Sequence, residues 1–289
     1  MTIREKGYTH WQGELKQSSF PWFPIMRYGI KLAFQKKHFK FFFLMTLVPA
    51  VIYLAGIYIS ERLEDFRFMI SDSAPFIQIT PAYFKSYFTN DFILFMLMMI
   101  MVFVGASLIS DDLRHNALQM YFARPLKKMD YFIGKASILA FFILIVTLFP
   151  GIIFLVMKLV FSGSFRFLFE YPWIILSVLI YSFFLTFFFS CYTLLISSLS
   201  QNRRYAAILI FGIYFFSDIL FGIFYGNFRH HYFSLLSLKL NLQQVGAVIF
   251  QQKTAYEVPW ILSLLVLAAV CSLAVFVLGK RVKGVEIVK

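Results

Sequence analysis

Binding of nucleotide phosphates needs a particular spacing of residues, and this chain carries only fragments of it. A P-loop has the pattern G-x-x-x-x-G-K-[ST], in which glycine amides cradle the phosphates and the lysine meets the β and γ oxygens. Gly-Lys pairs stand at 134–135 and 279–280, but Met129 and Ala274 occupy the earlier glycine positions, and neither lysine precedes Ser or Thr. The sequence therefore predicts no ATP chemistry on this chain.

Other catalytic and metal-binding patterns are also missing from the sequence. There is no HExxH motif, no Ser-His-Asp set and no pair of catalytic carboxylates. Cys191 and Cys271 fall within apolar runs without partners at metal or redox spacing, which favours buried free thiols. His230 and His231 are adjacent and do not converge on one helical face, so they indicate a surface loop. We expect no enzyme activity and no cofactor on this chain.

The composition places the chain in a membrane. Of its 289 residues, 60% are hydrophobic and only 14% are charged. A helix needs roughly 20 apolar residues to cross the ~30 Å hydrocarbon core. Windows of this kind lie at residues 41–60, 92–110, 131–156, 173–199, 205–225 and 260–278. The sequence predicts an all-α integral membrane protein with six transmembrane helices.

The distribution of Lys and Arg predicts the orientation of these helices. Nineteen of the 27 basic residues lie in the segments at 1–40, 111–135, 201–204 and 280–289, and the three intervening loops hold eight. Since cytoplasmic loops collect basic residues, we expect both termini inside, in a multi-pass protein of the inner, cytoplasmic membrane. The net charge of +13 then reflects topology and anionic lipid headgroups, and we expect no nucleic-acid partner.

Residues 1–38 are predicted to form a cytoplasmic segment that contains an amphipathic helix. Pro24 suits its first turn. The two faces of this helix carry polar and apolar side chains respectively: Arg27, Lys31, Gln35 and His38 on one, and Met26, Ile30, Ala33 and Phe34 on the other. Such a helix lies along the inner membrane surface. The alternative is a cytoplasmic extension of the first span.

Two further irregularities are expected. Pro150 and Gly151 interrupt the third apolar run and predict a helix break there. The stretch 227–259, on the outer side before the last span, contains apolar pieces too short to cross, which predicts short interfacial or re-entrant helices. The outer loop 61–91 is expected to be irregular around Pro75 and Pro81.

The segment 111–135 is strongly charged although apolar runs flank it. Asp111 and Asp112 are expected to cap a helix start. An apolar stripe would follow on one face of that helix: Leu113, Ala117, Met120 and Tyr121. Arg124 and Pro125 would end this helix, and Pro125 would open the next. The stripe predicts docking against another surface or, alternatively, packing on the chain's own inner helix ends.

Residues 109–135, ISDDLRHNALQMYFARPLKKMDYFIGK, resemble the junction between the second and third spans of ABC-2 type ABC transporter permeases. The matching positions are an acidic start, a Leu-rich helix, an Arg-Pro pair and a Gly-Lys pair that opens the next span: Asp111, Asp112, Leu118, Arg124, Pro125, Gly134 and Lys135. The six spans and the amphipathic N-terminal helix are similar to that family as well. The chain departs from it at Asp112 and at His115-Asn116-Ala117, where members often have Glu and a Gly-Thr pair.

This resemblance implies that residues 39–289 are the permease domain of an ATP-binding cassette transporter, in a family made up mostly of exporters. Residues 111–130 would be the coupling helix that contacts a separate ATPase subunit, which would bind ATP and Mg²⁺. A second permease chain, identical or related, would complete the translocation route. The alternative function is an ATP-independent channel or membrane scaffold.

Polar side chains inside the spans are the candidates for a translocation path. A stripe with helical spacing follows the fourth span: Ser182, Thr186, Ser190, Thr193 and Ser197. It indicates either a hydrated wall or close helix packing through small residues. Asp218 lies inside the fifth span, where a charge is costly, and Lys158 and Arg229 are the partners the sequence suggests. A structural ion pair and a role in substrate passage are both consistent with its position.

Overall fold

A computed structural model describes residues 20–62, 78–122 and 126–281 of the chain. The described parts are helical and contain no strand. Six helical segments are long and apolar enough to cross a membrane: Lys37–Glu61, Pro81–Arg114, Lys128–Ser162, Ile174–Leu199, Arg203–Phe228 and Trp260–Arg281. They correspond in order to the six predicted spans, which confirms the all-α, six-span fold.

The N-terminal helix is separate from the first span. Helix α1 (Phe23–Gln35) begins with proline in its first turn, and Lys36 adopts an extended conformation before α2 (Lys37–Glu61), the first span. The interpretation of α1 as an extension of that span is therefore wrong. Within α1, Ala33 is buried and its apolar neighbours pack on the core, whereas Arg27 and Lys31 are exposed. His38, predicted on the same polar face, lies in α2 beyond the break, and the placement of α1 along the membrane surface stays a prediction.

The second span consists of several helical pieces: α3 (Pro81–Phe88), α4 (Asp91–Ile100), a π-helical turn (Met101–Gly105) and α5 (Ala106–Arg114). Residues 81–88, expected as irregular loop, form α3, because proline is favoured in the first turn of a helix. The carbonyl of Phe103 in the π-helical turn accepts a 3.2 Å hydrogen bond from the Lys36 ammonium. The start of the first span is thereby tied to this turn.

A short helix, α6 (Ala117–Phe122), lies between the second and third spans. The third span breaks at Thr147, between α7 (Lys128–Val146) and α8 (Leu148–Ser162). The break was expected at Pro150 but lies three residues earlier, because the proline acts on the turn that precedes it. Pro150 has no N–H to donate to the carbonyl of Val146. The Tyr87 hydroxyl donates to that carbonyl instead, at 2.7 Å. The second span therefore satisfies the backbone group that the proline leaves open.

The remaining elements follow in chain order: α9 (Arg166–Glu170), α10 (Ile174–Leu199), α11 (Arg203–Phe228), a 3₁₀ helix (His231–Leu236), α12 (Leu238–Ile249) and α13 (Trp260–Arg281). The 3₁₀ helix and α12 are the short helices expected before the last span, and α12 packs on α10, α11 and α13. The second, third and fourth spans supply most of the core. The fifth span, α11, buries only Ala206, Ile210 and Tyr214.

Candidate functional site

The charged segment after the second span is a helix end followed by a short second helix. Asp111 and Asp112 lie in the last turns of α5, so the expectation that they start a helix is wrong. The helix of the second span continues past its apolar run, which ends at residue 110, as far as Arg114. His115 Nδ1 lies 2.8 Å from the Asp111 carbonyl at the helix end.

A sharp turn then redirects the chain. Asn116 has φ 52°, in the left-handed region that asparagine tolerates better than most residues. It leads into α6 (Ala117–Phe122), the short helix between the second and third spans. Arg124 and Pro125, expected to end this helix, lie outside the described residues.

A buried ion pair fixes this junction to the third span. The Lys135 ammonium lies 2.6 Å from Asp112 Oδ2, and their side chains are only 8% and 14% exposed. The Tyr131 hydroxyl donates to the same carboxylate oxygen at 2.6 Å. The ammonium also lies 5.6 Å and 5.4 Å from the ring centroids of Tyr121 and Tyr131, within cation–π range. Residues of α5, α6 and α7 thus meet around one desolvated charge pair.

The apolar stripe of the junction has some residues that pack against the protein and one that is exposed. Leu113 packs against the core, and the ring centroid of Tyr121 lies 5.3 Å from that of Tyr131. Burial, followed by the charge of Asp112, raises the pKa of Tyr121 above its ordinary value, so its hydroxyl stays neutral. Ala117 and Leu118 are half-buried. Met120 is 76% exposed and is the stripe residue left available to a partner.

A groove of about 1460 Å³ opens beside Met120, between α1, α6, the end of the second span and the start of the third. Its apolar lining includes Leu32, Leu108 and Ile138, and Lys36 and Asp111 supply charges. Burial, followed by the positive charge of Arg203, lowers the pKa of Lys36, and Asp111 opposes this shift. Sequence reasoning did not single out Lys36, although it is the residue that separates α1 from α2.

The predicted polar stripe of the fourth span lies inside the bundle, with all five side chains buried. Ser197 Oγ accepts hydrogen bonds from the amides of Ile109 (3.0 Å) and Ser110 (3.2 Å), and donates to the Ala106 carbonyl at 3.0 Å. A Cβ on Gly105 would collide with Thr193. These contacts favour the packing interpretation at Thr193 and Ser197, and a role in a path stays a prediction.

Asp218 of the fifth span is paired, but with neither of the partners that the sequence suggests. Its carboxylate lies 2.9 Å from the Lys239 ammonium of α12 and accepts a 2.9 Å hydrogen bond from Ser237. Lys158 pairs instead with Glu61, and Arg229 is exposed at the end of α11. Lys239 could have been identified from the sequence, because it is a lysine in an otherwise apolar stretch.

Lys239 connects two carboxylates on different spans. Its ammonium lies 3.5 Å from Asp91 of α4 as well as near Asp218. Burial lowers the pKa of Lys239, but the hydrogen bond and charge of Asp218, aided by Asp91, outweigh burial and raise it overall. The helix α12 is thus bound to Asp91 in the second span and to Asp218 in the fifth. In the described parts of the chain, no three His, Cys, Asp or Glu side chains are grouped to hold a metal ion.

The chain matches a family of known proteins over most of its length. A family model described as "ABC-2 family transporter protein" matches residues 38–278. The comparison with curated proteins finds no match. The matched range begins in the first span and ends in the last, so it contains both the junction and the Lys239 network.

Proposed function

Because this chain belongs to the ABC-2 family of transporters, a family of membrane transport components, we propose that it is the permease subunit of an ATP-driven exporter. The chain lacks a P-loop, so ATP and Mg²⁺ would bind to a separate ATPase subunit. Nucleotide-driven movement of that subunit would reach the spans through residues 111–130, which we assign as the coupling segment.

The observation that carries this proposal is the attachment of α6 to a rigid support. Met120 projects from α6 with 76% exposure, while Tyr121, the next residue, packs on Tyr131 beside the Asp112–Lys135 pair. A force applied to α6 is therefore transmitted to the inner ends of the second and third spans together. An ATPase on another chain requires such a projection, because closure of its subunits must be converted into movement of helices.

A second permease chain is part of the same proposal. The fifth span leaves an apolar face exposed, including Ile208, Phe216, Ile219 and Ile223. Six helices around a filled core do not enclose a large path alone, so two permease chains, identical or related, would meet around the route. The orientation, with the termini and α6 in the cytoplasm, follows the distribution of basic residues.

Purification of the tagged chain from its native membranes tests this assignment. We expect ATP hydrolysis to copurify with the wild-type chain and with Tyr205→Glu, but to be lost with Met120→Glu, because a carboxylate cannot enter an apolar docking pocket without loss of hydration. Tyr205 is the control, since it is 64% exposed at the start of α11 and lies outside the assigned coupling segment. A well-folded wild-type chain without any copurifying ATPase would support the channel or scaffold alternative.

A further inference from the structure

The large groove next to α6 crosses the boundary between the apolar spans and the charged junction. Three of its lining residues, Val104, Leu108 and Ile138, lie within the apolar runs of the second and third spans. Two others, Asp111 and Lys127, lie just outside those runs. Because charged side chains are costly within the hydrocarbon core, the groove straddles the interface between membrane and water. An occupant therefore needs an apolar part and a charged part.

Helix α1 forms one wall of this groove and is packed firmly against the third span. A Cβ on Gly29 would collide with the side chain of Ile138, and a Cβ on Gly134 would lie 3.0 Å from the side chain of Ile25. Small residues at such points let helices approach closely. Leu32 of α1 lines the groove and is 42% exposed. The groove therefore has a fixed wall that presents apolar surface.

The charged part of the groove holds a cation and an anion that do not pair with each other. The Lys36 ammonium donates to the Phe103 carbonyl at 3.2 Å, about two helical turns before Asp111. Within the described residues, neither Lys36 nor Asp111 forms an ion pair, whereas Asp112 and Lys135 neutralise each other. The groove thus presents an ammonium and a carboxylate that a ligand of mixed charge can bind.

From these features we infer that the groove binds one phosphatidylethanolamine molecule of the adjoining leaflet. Its phosphate accepts a hydrogen bond from Lys36, and its ammonium donates to Asp111. Both hydrogen bonds are charge-assisted, which is the stronger class. An acyl chain lies along Leu32, Leu108 and Ile138, where it buries apolar surface.

The balance of charge in the groove favours this headgroup over others. Three lysines and three aspartates line the groove, so the lining has no net charge: Lys36, Lys127, Lys135, Asp111, Asp112 and Asp130. A zwitterionic headgroup matches this balance better than an anionic one does. The choline headgroup is also zwitterionic, but it has no N–H to donate to a carboxylate. Ethanolamine supplies both the positive charge and the donor.

The depth of the groove favours a lipid over a segment of a soluble protein. The apolar lining reaches Val104, which lies roughly 9 Å along the helix from the end of the apolar run at residue 110. A water-soluble subunit would have to enter the hydrocarbon core to fill that part. A bound lipid would instead join the start of the first span, through Lys36, to the end of the second. This inference does not depend on the ATPase proposed above.

The test places the full chain in phosphatidylcholine liposomes with a small amount of phosphatidylethanolamine that carries a photoreactive diazirine in its acyl chain. Mass spectrometry of peptides then identifies the labelled positions. We expect label around Leu32 and Leu108. Unlabelled phosphatidylethanolamine should displace this label, whereas phosphatidylglycerol should not.

Two substitutions test the headgroup contacts. In the Lys36→Gln and Asp111→Asn chains, the amount of probe that gives half-maximal labelling of the groove should rise about tenfold, as expected when a charge-assisted hydrogen bond is lost. Lys31→Gln is the matched control, because Lys31 is an exposed lysine of α1 outside the groove, and it should change nothing. An unchanged half-maximal amount in both test chains would contradict the headgroup contacts.

Three results on chains without these substitutions would overturn the inference. The first is equal displacement by phosphatidylglycerol, which would mean that the groove does not distinguish headgroups. The second is label on other lipid-facing surfaces but none in the groove. The third is groove label that appears only in a chain without residues 1–19, which would assign the groove to that segment. The first two are measured on the wild-type chain, so they do not depend on the folding of a variant.

Discussion

Lys135 Nζ lies 2.6 Å from Asp112 Oδ2, and this pair joins the end of the second span to the first turns of the third. Both groups are nearly buried, so neither charge retains much hydration when its partner is removed. A buried ion pair is a weak source of net stability, but the loss of one partner is severe. The relative position of the two helices at this point therefore depends on both residues of the pair.

Lys135→Met should lower the free energy of unfolding by about 3 to 5 kcal/mol, because it leaves the Asp112 carboxylate buried without a counter-charge. Adding Asp112→Asn should recover most of this loss, since no charge remains and the amide oxygen still accepts from Tyr131. Denaturation of the purified chain in detergent measures both values. Lys128→Met, at an exposed lysine of the same helix, is the control and should change little. Additive effects of Lys135→Met and Asp112→Asn would refute the coupling.

A second prediction concerns Tyr87 and the proline of the third span. Tyr87→Phe removes the hydroxyl that donates to Val146, so it should cost about 1 kcal/mol or more of unfolding free energy. Pro150→Ala restores an N–H that can donate to the same carbonyl. In the Pro150→Ala background, Tyr87→Phe should therefore cost measurably less, as a double-mutant cycle in detergent would show. An equal cost in both backgrounds would exclude this compensation.

The sequence predicts the spans well, because runs of apolar residues determine them directly. It places the third-span break three residues late, because the proline acts on the turn that precedes it. It does not reveal that the Tyr87 hydroxyl donates to the Val146 carbonyl, since the two residues lie 59 apart in the chain. The partner of Asp218 was missed for the same reason, since Lys239 reaches it only through the fold of α12. Long-range pairs of this kind leave no periodic signal.

The candidate site likewise combines features that the sequence predicts with contacts that it does not predict. The apolar stripe of the junction was recognised from its spacing, but the sequence left open whether it faces outwards or inwards. Both occur, because Tyr121 packs inwards on Tyr131 while Met120 remains exposed. Contacts with the third span decide which residues of this short helix are buried. The periodicity of the local sequence carries no information about those contacts.

The Asp218–Lys239 pair predicts a defined pH dependence. Asp218→Asn should lower the free energy of unfolding by about 2 kcal/mol at pH 8, because it removes the charge that holds the Lys239 pKa above its ordinary 10.5. The contribution of a raised lysine pKa is fully present below that ordinary value and is lost as the pH rises through the raised one. The cost of the substitution should therefore shrink as the pH is raised above 10.5.

Asp91→Asn is the control for this pair, since its side chain is 71% exposed, and it should cost less than about 1 kcal/mol. Assembly and transport should be followed separately in both variants. A structural ion pair predicts that Asp218→Asn lowers assembly first. Intact assembly with lost transport would instead assign Asp218 to substrate passage, and a cost that does not change with pH would contradict the pairing.

The orientation gives a further prediction, tested by labelling single cysteines in a Cys191→Ser, Cys271→Ser background. Phe169, between the third and fourth spans, is 85% exposed, and Phe169→Cys should react with a membrane-impermeant maleimide in intact cells. Met120→Cys should react only after the membrane is permeabilised. The reverse pattern would place the junction on the wrong side of the bilayer for contact with an ATPase.

The central claim is that α6 receives the work of ATP hydrolysis from another protein, and crosslinking in living cells tests it most directly. A photoreactive benzoylphenylalanine replaces Met120 in one chain and Phe169 in another, and mass spectrometry identifies the products. We predict that position 120 crosslinks to a protein with an ATP-binding cassette and that position 169 does not. Crosslinks from position 120 only to lipid or to this chain, while the ATPase is present in the same membranes, would contradict the account.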